Sequence, residues 1–249
     1  MPRIAANLSL LFTELPFLER FQAAAATGLF EALEFQFPYE HDLDELIATV
    51  AQAGLPVELI NAPPGDTFGI AALQDTAFTE SLAVALRYAT ALGAGKLHVM
   101  AGVTPRTPEA TTTYVNNIRT AAAVAAQHGI LIVVEPINQR TVPGYFLQDL
   151  GQAIDLIRDI PNVKILFDVF HIQQIHGDLT RHLTALHEMD LLGHVQVASV
   201  PQRCEPGTGE VNDAYIFQLL DSLPYAGVIG AEYHPAGATV EGLSWLGAL

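Results

Sequence analysis

Cysteine, lysine and long apolar runs are all scarce in this chain, and each scarcity removes a class of answers. Cys204 is the single cysteine, which excludes a disulfide framework and fits a reducing, cytoplasmic setting. Basic side chains number 11 against 27 acidic ones, a formal charge of −16. A nucleic-acid partner would demand a basic face, so none is expected. No segment reaches the roughly 18 apolar residues of a membrane span, so no membrane partner is expected either. The apolar run after Arg3 is short and interrupted by Asn7 and Ser9, and it reads as a first strand, not a secretory leader.

Apolar residues are abundant, at 50% of 249, enough for one large core. The length matches the about 250 residues of one (β/α)8 barrel. No linker or low-complexity break divides the chain, so one domain over 1–249 is expected. Strands are expected at Arg3–Leu8, Ala32–Phe35, Leu55–Asn61, Lys96–Met100, Ile130–Glu135, Val163–Asp168, Gly193–Val197 and Val228–Glu232. Helices are expected between them at Pro16–Thr27, His41–Ala53, Asp75–Leu92, Pro108–His128, Gln148–Asp159, Leu179–Met189 and Asp213–Leu223. A short closing helix is expected at Thr239–Leu246. Gly28, Gly54, Gly93 and Gly129 stand just past four of these helices, where a left-handed cap is favoured. Strict alternation implies a parallel sheet. A doubly wound open sheet would use a glycine-rich first turn, which Asn7-Leu-Ser-Leu lacks. An α/β fold, a (β/α)8 TIM barrel, is therefore expected.

In such a barrel the carboxyl ends of the strands face the active site. Those ends carry Asn7, Glu34, Asn61, His98, Glu135, Asp168, Gln196 and Glu232. The only two lysines, Lys96 and Lys164, stand at the amino ends, so a Schiff-base aldolase is not expected. Any one strand-end carboxylate could merely order a loop. Glu135, Asp168, Gln196 and Glu232 close four hydrophobic runs at intervals of roughly 30 residues, one βα unit each. Burying three carboxylates together is costly unless something neutralises them. A divalent cation on oxygen ligands is the simplest neutraliser, and oxygen donors favour Mg²⁺ or Mn²⁺, with Co²⁺ and Zn²⁺ able to occupy such sites. Glu135 and Glu232, from strands five and eight, should face each other and could act as an acid–base pair. Asn7 and His98 are candidate substrate contacts, with loop capping and plain core burial as the alternatives.

The motifs Glu135-Pro-Ile-Asn138, Phe167-Asp-Val-Phe-His171, His194-Val-Gln196-Val-Ala198 and Glu205-Pro-Gly-Thr-Gly-Glu210-Val closely resemble the hydroxypyruvate isomerase family. Asn7-Leu-Ser-Leu-Leu-Phe, His98-Val-Met-Ala-Gly102 and Glu232-Tyr extend the resemblance along nearly the whole chain. That family belongs to the xylose isomerase-like TIM barrels, with the ketose 3-epimerases and endonuclease IV. The resemblance implies that Glu135 and Glu232 transfer the proton and that Glu135, Asp168, Gln196 and Glu232 hold the metal. It also implies that His171 and Arg203 contact substrate oxygens. Two features depart from the family pattern: Cys204, where relatives commonly carry histidine, and a short loop at Pro63–Ile70.

The expected reaction is aldose–ketose isomerisation of a short hydroxy-oxo acid, hydroxypyruvate to tartronate semialdehyde being first choice, with no redox cofactor. The substrate carboxylate wants an arginine; Arg203 is best placed, ahead of Arg106 and Arg140. The alternatives are a 2-oxo-tetronate isomerase or ketose 3-epimerase of the same fold, an endonuclease IV-like nuclease, and a non-catalytic sugar-binding protein. A homo-oligomer is compatible with the sequence, which does not decide it.

Overall fold

Each strand buries both faces, and the two faces do different work. The computed structural model describes residues 3–73 and 77–248. Its strands are β1 (Arg3–Asn7), β2 (Ala32–Phe35), β3 (Val57–Asn61), β4 (Lys96–His98), β5 (Leu131–Val134), β6 (Val163–Asp168), β7 (Leu192–Val197) and β8 (Val228–Ala231). They pair in sequence order, all parallel, and β8 returns to β1 to close the barrel. Side chains alternate across a strand with period two. One set, including Ile4, Leu33, Ile60, Leu97, Ile132 and Ile165, points outward into the large core under the helices. The other set fills the interior, with small clusters of Ala5, Ala32 and Val228 and of Leu59, Val133 and Leu166. Two residues beyond these come Asn7, Asn61, Glu135 and Asp168, and Glu232 lies four beyond Val228. The same parity that packs the interior aims those polar groups at one mouth.

The helices are α1 (Phe17–Thr27), α2 (Leu43–Ala53), α3 (Phe78–Leu92), α4 (Pro108–Ala126), α5 (Leu150–Ile157), α6 (Val169–Ile175), α7 (Leu179–Glu188), α8 (Asp213–Ser222) and α9 (Thr239–Gly242). Local chemistry sets their starts. Asp42 accepts from the Glu45 amide at 3.1 Å, Thr107 from Ala110 at 3.2 Å, and Asp149 from Gln152 at 2.8 Å, each satisfying an orphan donor of the first turn. Gly28, Gly54 and Gly93 close α1, α2 and α3 in the left-handed conformation. The expected start of the third helix at Asp75 lies outside the described residues. Among the described residues, no helix is long and apolar enough to cross a membrane.

The differences from expectation sit at element ends. β5 stops at Val134 because Pro136 cannot continue the ladder. β4 stops at His98 because the next carbonyls turn to the neighbouring loop: the Ala71 amide donates to Met100 at 3.3 Å and Ala72 to Ala101 at 2.8 Å. α6 is an element the sequence pattern does not predict; it starts directly from β6 with no turn residue between them. The closing segment is one α turn, Thr239–Gly242, followed by a 3₁₀ stretch, Leu243–Ala248. Trp245 in that stretch stacks on Phe217, ring centroids 6.0 Å apart, and donates to the Tyr233 hydroxyl at 3.2 Å.

Candidate active site

The carboxyl mouth of the barrel holds a cavity, about 500 Å³ counting the space open to solvent. Gln36, Asn61, His98, Glu135, Gln196 and Glu232 reach into it from six different strands or strand ends. His171 comes from α6, Arg203 from the loop after β7, and Phe68 from the short 63–70 loop. Asp168 lies directly behind this lining and is 1% exposed.

Asp168 has two jobs. Its Oδ1 accepts from the Phe170 amide at 2.8 Å, capping α6, and that cap is what turns His171 into the cavity. Its Oδ2 faces Arg203 at 3.1 Å and His171 Nε2 at 3.6 Å. The Arg203 guanidinium also stands 3.6 Å from Glu232 Oε2 and 4.8 Å above the Phe170 ring. Its backbone is left-handed, φ 56°, and tied on both sides, its amide to Ser199 at 2.9 Å and its carbonyl to His234 at 2.8 Å. Burial disfavours the Arg203 charge, but Glu232, Asp168 and Glu135 outweigh it and raise the pKa. Burial pushes Glu135 well up, aided by the charges of Asp168 and Glu232. It raises Asp168 against the pull of Arg203, and takes Glu232 up to about 8 despite Arg203. Three carboxylates share one arginine. The excess negative charge is the dominant electrostatic fact of the site.

Burial lowers the pKa of both His98 and His171, that of His98 to about 3, and so favours their neutral forms. His171 has a fixed tautomer. Asn138 Oδ1 accepts from the Arg140 and Thr141 amides at 3.0 and 2.9 Å, so its Nδ2 must point the other way, at His171 Nδ1, 2.7 Å off. The Asn138 amide donates to the same nitrogen at 3.3 Å. Nδ1 is therefore an acceptor and Nε2 carries the proton, aimed between Glu135 Oε1 at 3.7 Å and Asp168 Oδ2 at 3.6 Å. His98 Nε2 lies 3.7 Å from Glu135 Oε2 and has no hydrogen-bond partner.

Asn7 is placed beneath the cavity rather than in its lining, accepting from the Ser9 amide at 3.1 Å and donating to Glu34 at 3.0 Å. Glu34 also sits a layer below the mouth, because barrel shear staggers β2 against its neighbours. Two residues further on, Gln36 reaches the cavity and donates to Glu232 Oε1 at 2.8 Å. Period two from Glu34 is the signal that could have found it. Gln196 donates through Nε2 to Glu34 Oε1 at 2.7 Å. Arg106 and Arg140 are exposed and outside the lining. Cys204 is partly buried beside Arg203, its thiol 3.6 Å from the Gln202 carbonyl.

A closed eight-stranded parallel barrel with this mouth matches the xylose isomerase-like TIM barrel family over residues 21–249. The chain belongs to that family. Within it, a 2-oxo-tetronate isomerase of Cupriavidus necator is 45% identical over 99% of this chain and 98% of its own. The hydroxypyruvate isomerase of Escherichia coli is 40% identical over the same shares. A crystal structure described as an AP endonuclease, family 2, from Brucella melitensis superposes with a TM-score of 0.96 at 42% identity, covering 100% of this chain and 99% of that one. The chain is thus a hydroxypyruvate isomerase-like member of the family.

For a divalent cation the residues of this family member fit. Buried Glu135 Oε1 and Gln196 Oε1 have no hydrogen-bond partner, although such atoms are normally satisfied. Ligand atoms of Glu135, Asp168 and His171 lie within 4.8 Å of one another. His171 belongs to that group by distance only, because its inward nitrogen bears the proton and can donate but not ligate. The donors that fit a cation are oxygens.

Proposed function

We propose that this chain is a divalent-metal-dependent aldose–ketose isomerase of a short 2-oxo acid, with hydroxypyruvate and tartronate semialdehyde as the substrate pair. The observation that carries this reading is the set of three buried carboxylates around one arginine, with one amide and one carboxylate oxygen left unpaired. Glu135, Asp168, Gln196 and Glu232 would hold Mg²⁺ or Mn²⁺, whose oxygen preference matches them. When bound, the cation would supply Lewis-acid polarisation of the substrate carbonyl and its enediolate.

The protein groups then divide the remaining work. One of Glu135 and Glu232 takes the proton from C3, and a proton returns to C2, so the reaction is redox-neutral and needs no other cofactor. A carboxylate with a pKa raised toward neutrality suits this, since the proton must be both accepted and released. His171, with its proton held on Nε2, donates to a substrate oxygen. His98, beside Glu135, lines the same wall. Arg203 is the only lysine or arginine lining the cavity among the described residues, and its Nε has no partner. It is the group we assign to the substrate carboxylate. Asn7 supports this machinery from below.

A cavity lined by a few convergent polar groups suits a small ligand. The four-carbon 2-oxo-tetronate is the second reading, favoured by the C. necator relative at 45% identity. A nuclease reading draws on the likeness to the B. melitensis protein described as an AP endonuclease. It conflicts with the charge of −16 and with a carboxylate-rich cavity that would repel phosphodiesters. The low cysteine content supports a cytoplasmic setting.

The test combines three measurements on purified protein. Chelation should abolish isomerisation and Mg²⁺ or Mn²⁺ should restore it. Turnover of hydroxypyruvate should exceed that of 2-oxo-tetronate; the reverse order makes the second reading the correct one. Glu232→Gln keeps an oxygen but removes the basic group, and kcat should fall by roughly 10²-fold or more. Undiminished activity after rigorous metal removal would sink the proposal.

A further inference from the structure

A column of polar groups runs through the barrel interior from the opposite mouth to Gln196. Lys96, paired with Glu58 near the amino ends of β4 and β3, lies 3.4 Å from His194 Nδ1. An ammonium group only donates, so Nδ1 accepts and the His194 proton sits on Nε2. That nitrogen meets Glu34 Oε2 at 2.8 Å. Glu34 Oε1 takes two more donors, Asn7 Nδ2 at 3.0 Å and Gln196 Nε2 at 2.7 Å. Asn7 is oriented independently, because its oxygen accepts the Ser9 amide. The carboxylate occupies space that only glycine leaves open: a Cβ on Gly230, opposite Gln196 on β8, would overlap both Glu34 oxygens. His194 and Asn7 are thereby fixed as donors to Glu34 by their own second contacts.

We propose that Glu34 is a positioning residue for the metal site, locking the Gln196 amide so that its oxygen, not its nitrogen, faces the cation. This rests on the reading of Gln196 as a ligand. An amide can turn either edge toward a metal, and only the oxygen edge binds. The unpaired Oε1 of Gln196 is the edge left over once Nε2 is committed to Glu34. The isosteric variant Glu34→Gln should loosen this arrangement. His194 and Asn7 are both held as donors, by Lys96 and by the Ser9 amide, so a single amide oxygen cannot satisfy His194, Asn7 and Gln196 together. The hold on Gln196 Nε2 weakens, and its NH₂ edge then competes with its oxygen for the place facing the cation.

The experiment titrates Mn²⁺ alone, by electron paramagnetic resonance, into wild type, Glu34→Gln, Gln196→Ala and the double variant. Glu34→Gln should weaken Mn²⁺ binding about 10- to 100-fold, the usual consequence of losing a partner that orients a ligand. In the Gln196→Ala background the same change should add nothing, because the amide through which it acts is gone. Unchanged affinity in Glu34→Gln, or equal losses in both backgrounds, would overturn the proposal while leaving the metal site intact. A wild type that binds no Mn²⁺ would overturn the metal reading and this inference together. Should Glu34→Gln not fold, ¹⁵N-glutamine-labelled wild type serves instead. Its Gln196 side-chain amide, identified by its absence in Gln196→Ala, should exchange slowly with solvent both before and after Mg²⁺ is added. Fast exchange in either state would rule the lock out.

Discussion

Asn138 controls what His171 can do, because two donors on Nδ1 leave the other nitrogen protonated. Asn138→Asp would retain the acceptor for the Arg140 and Thr141 amides but turn the neighbouring donor into a second acceptor. The proton should move to Nδ1, and ¹⁵N chemical shifts of the imidazole should report the exchange of tautomers. Loss of a positioned donor should lower kcat/KM by roughly 10-fold or more, the scale of a hydrogen bond to a charged group. An unchanged tautomer would show that the loop contacts do not set it. Arg203 admits a subtler test. It pairs with Asp168 and Glu232 as well as facing the cavity, so Arg203→Ala should harm every substrate somewhat. Hydroxypyruvate should suffer about 1.5–3 kcal/mol more than neutral dihydroxyacetone, measured as the ratio of kcat/KM values. Equal losses would assign Arg203 to holding the carboxylates alone. Glu135, Asp168, Gln196 and Glu232 were legible as a converging set because each ends an apolar run and parity does the aiming. Asn138 closes the motif that begins at Glu135, yet its control of a proton depends on a loop that folds back to α6, which no local pattern reveals.

β8 carries a constraint that only its neighbours explain. Gly230 looks like a weak point in a strand, since glycine costs conformational entropy there, but Glu34 fills its space. Gly230→Ala should destabilise the protein by about 1–3 kcal/mol, as overpacked cores do, and urea denaturation would measure it. In a Glu34→Ala background, which makes room, the same Gly230→Ala change should cost much less; equal costs in both backgrounds would mean that the two positions do not share space. Strand positions and their order were readable from alternation and glycine caps. The stagger between strands was not, and it is why Glu34 falls below the mouth while Gln36 reaches it. α6 escaped for another reason. Val169, Phe170 and Ile172 favour strands, and what starts the helix is the Asp168 cap, a residue expected only to bind metal.

For the molecule as a whole, the concentrated carboxylates link stability to pH and, on the proposed reading, to metal. Burial takes Glu232 up to about 8 from an ordinary 4.5. Between about pH 4.5 and 8 the folded protein keeps a proton there that the unfolded chain has released. Stability from this group is therefore full below about 4.5 and is lost as pH rises through 8, by up to about 1.4 kcal/mol per pH unit. A cation bound as proposed takes the place of that proton, so Mg²⁺ should flatten this decline and stabilise most at the alkaline end. Urea midpoints at about pH 5, 6.5 and 8, with and without Mg²⁺, would check it. A metal-free protein whose midpoint does not fall across that range would contradict the assignment.

Trp245 is the sole tryptophan of the chain, and its indole is bonded to Tyr233, the residue that follows Glu232. The protein thus carries one indole fluorophore, coupled through a hydrogen bond and an edge-on ring contact to Tyr233, two residues past β8. Emission excited selectively at this indole arises from one position and needs no label. Changes in its wavelength or quantum yield on mixing would time movements of the segment that follows β8, in a stopped-flow instrument, before any product has accumulated.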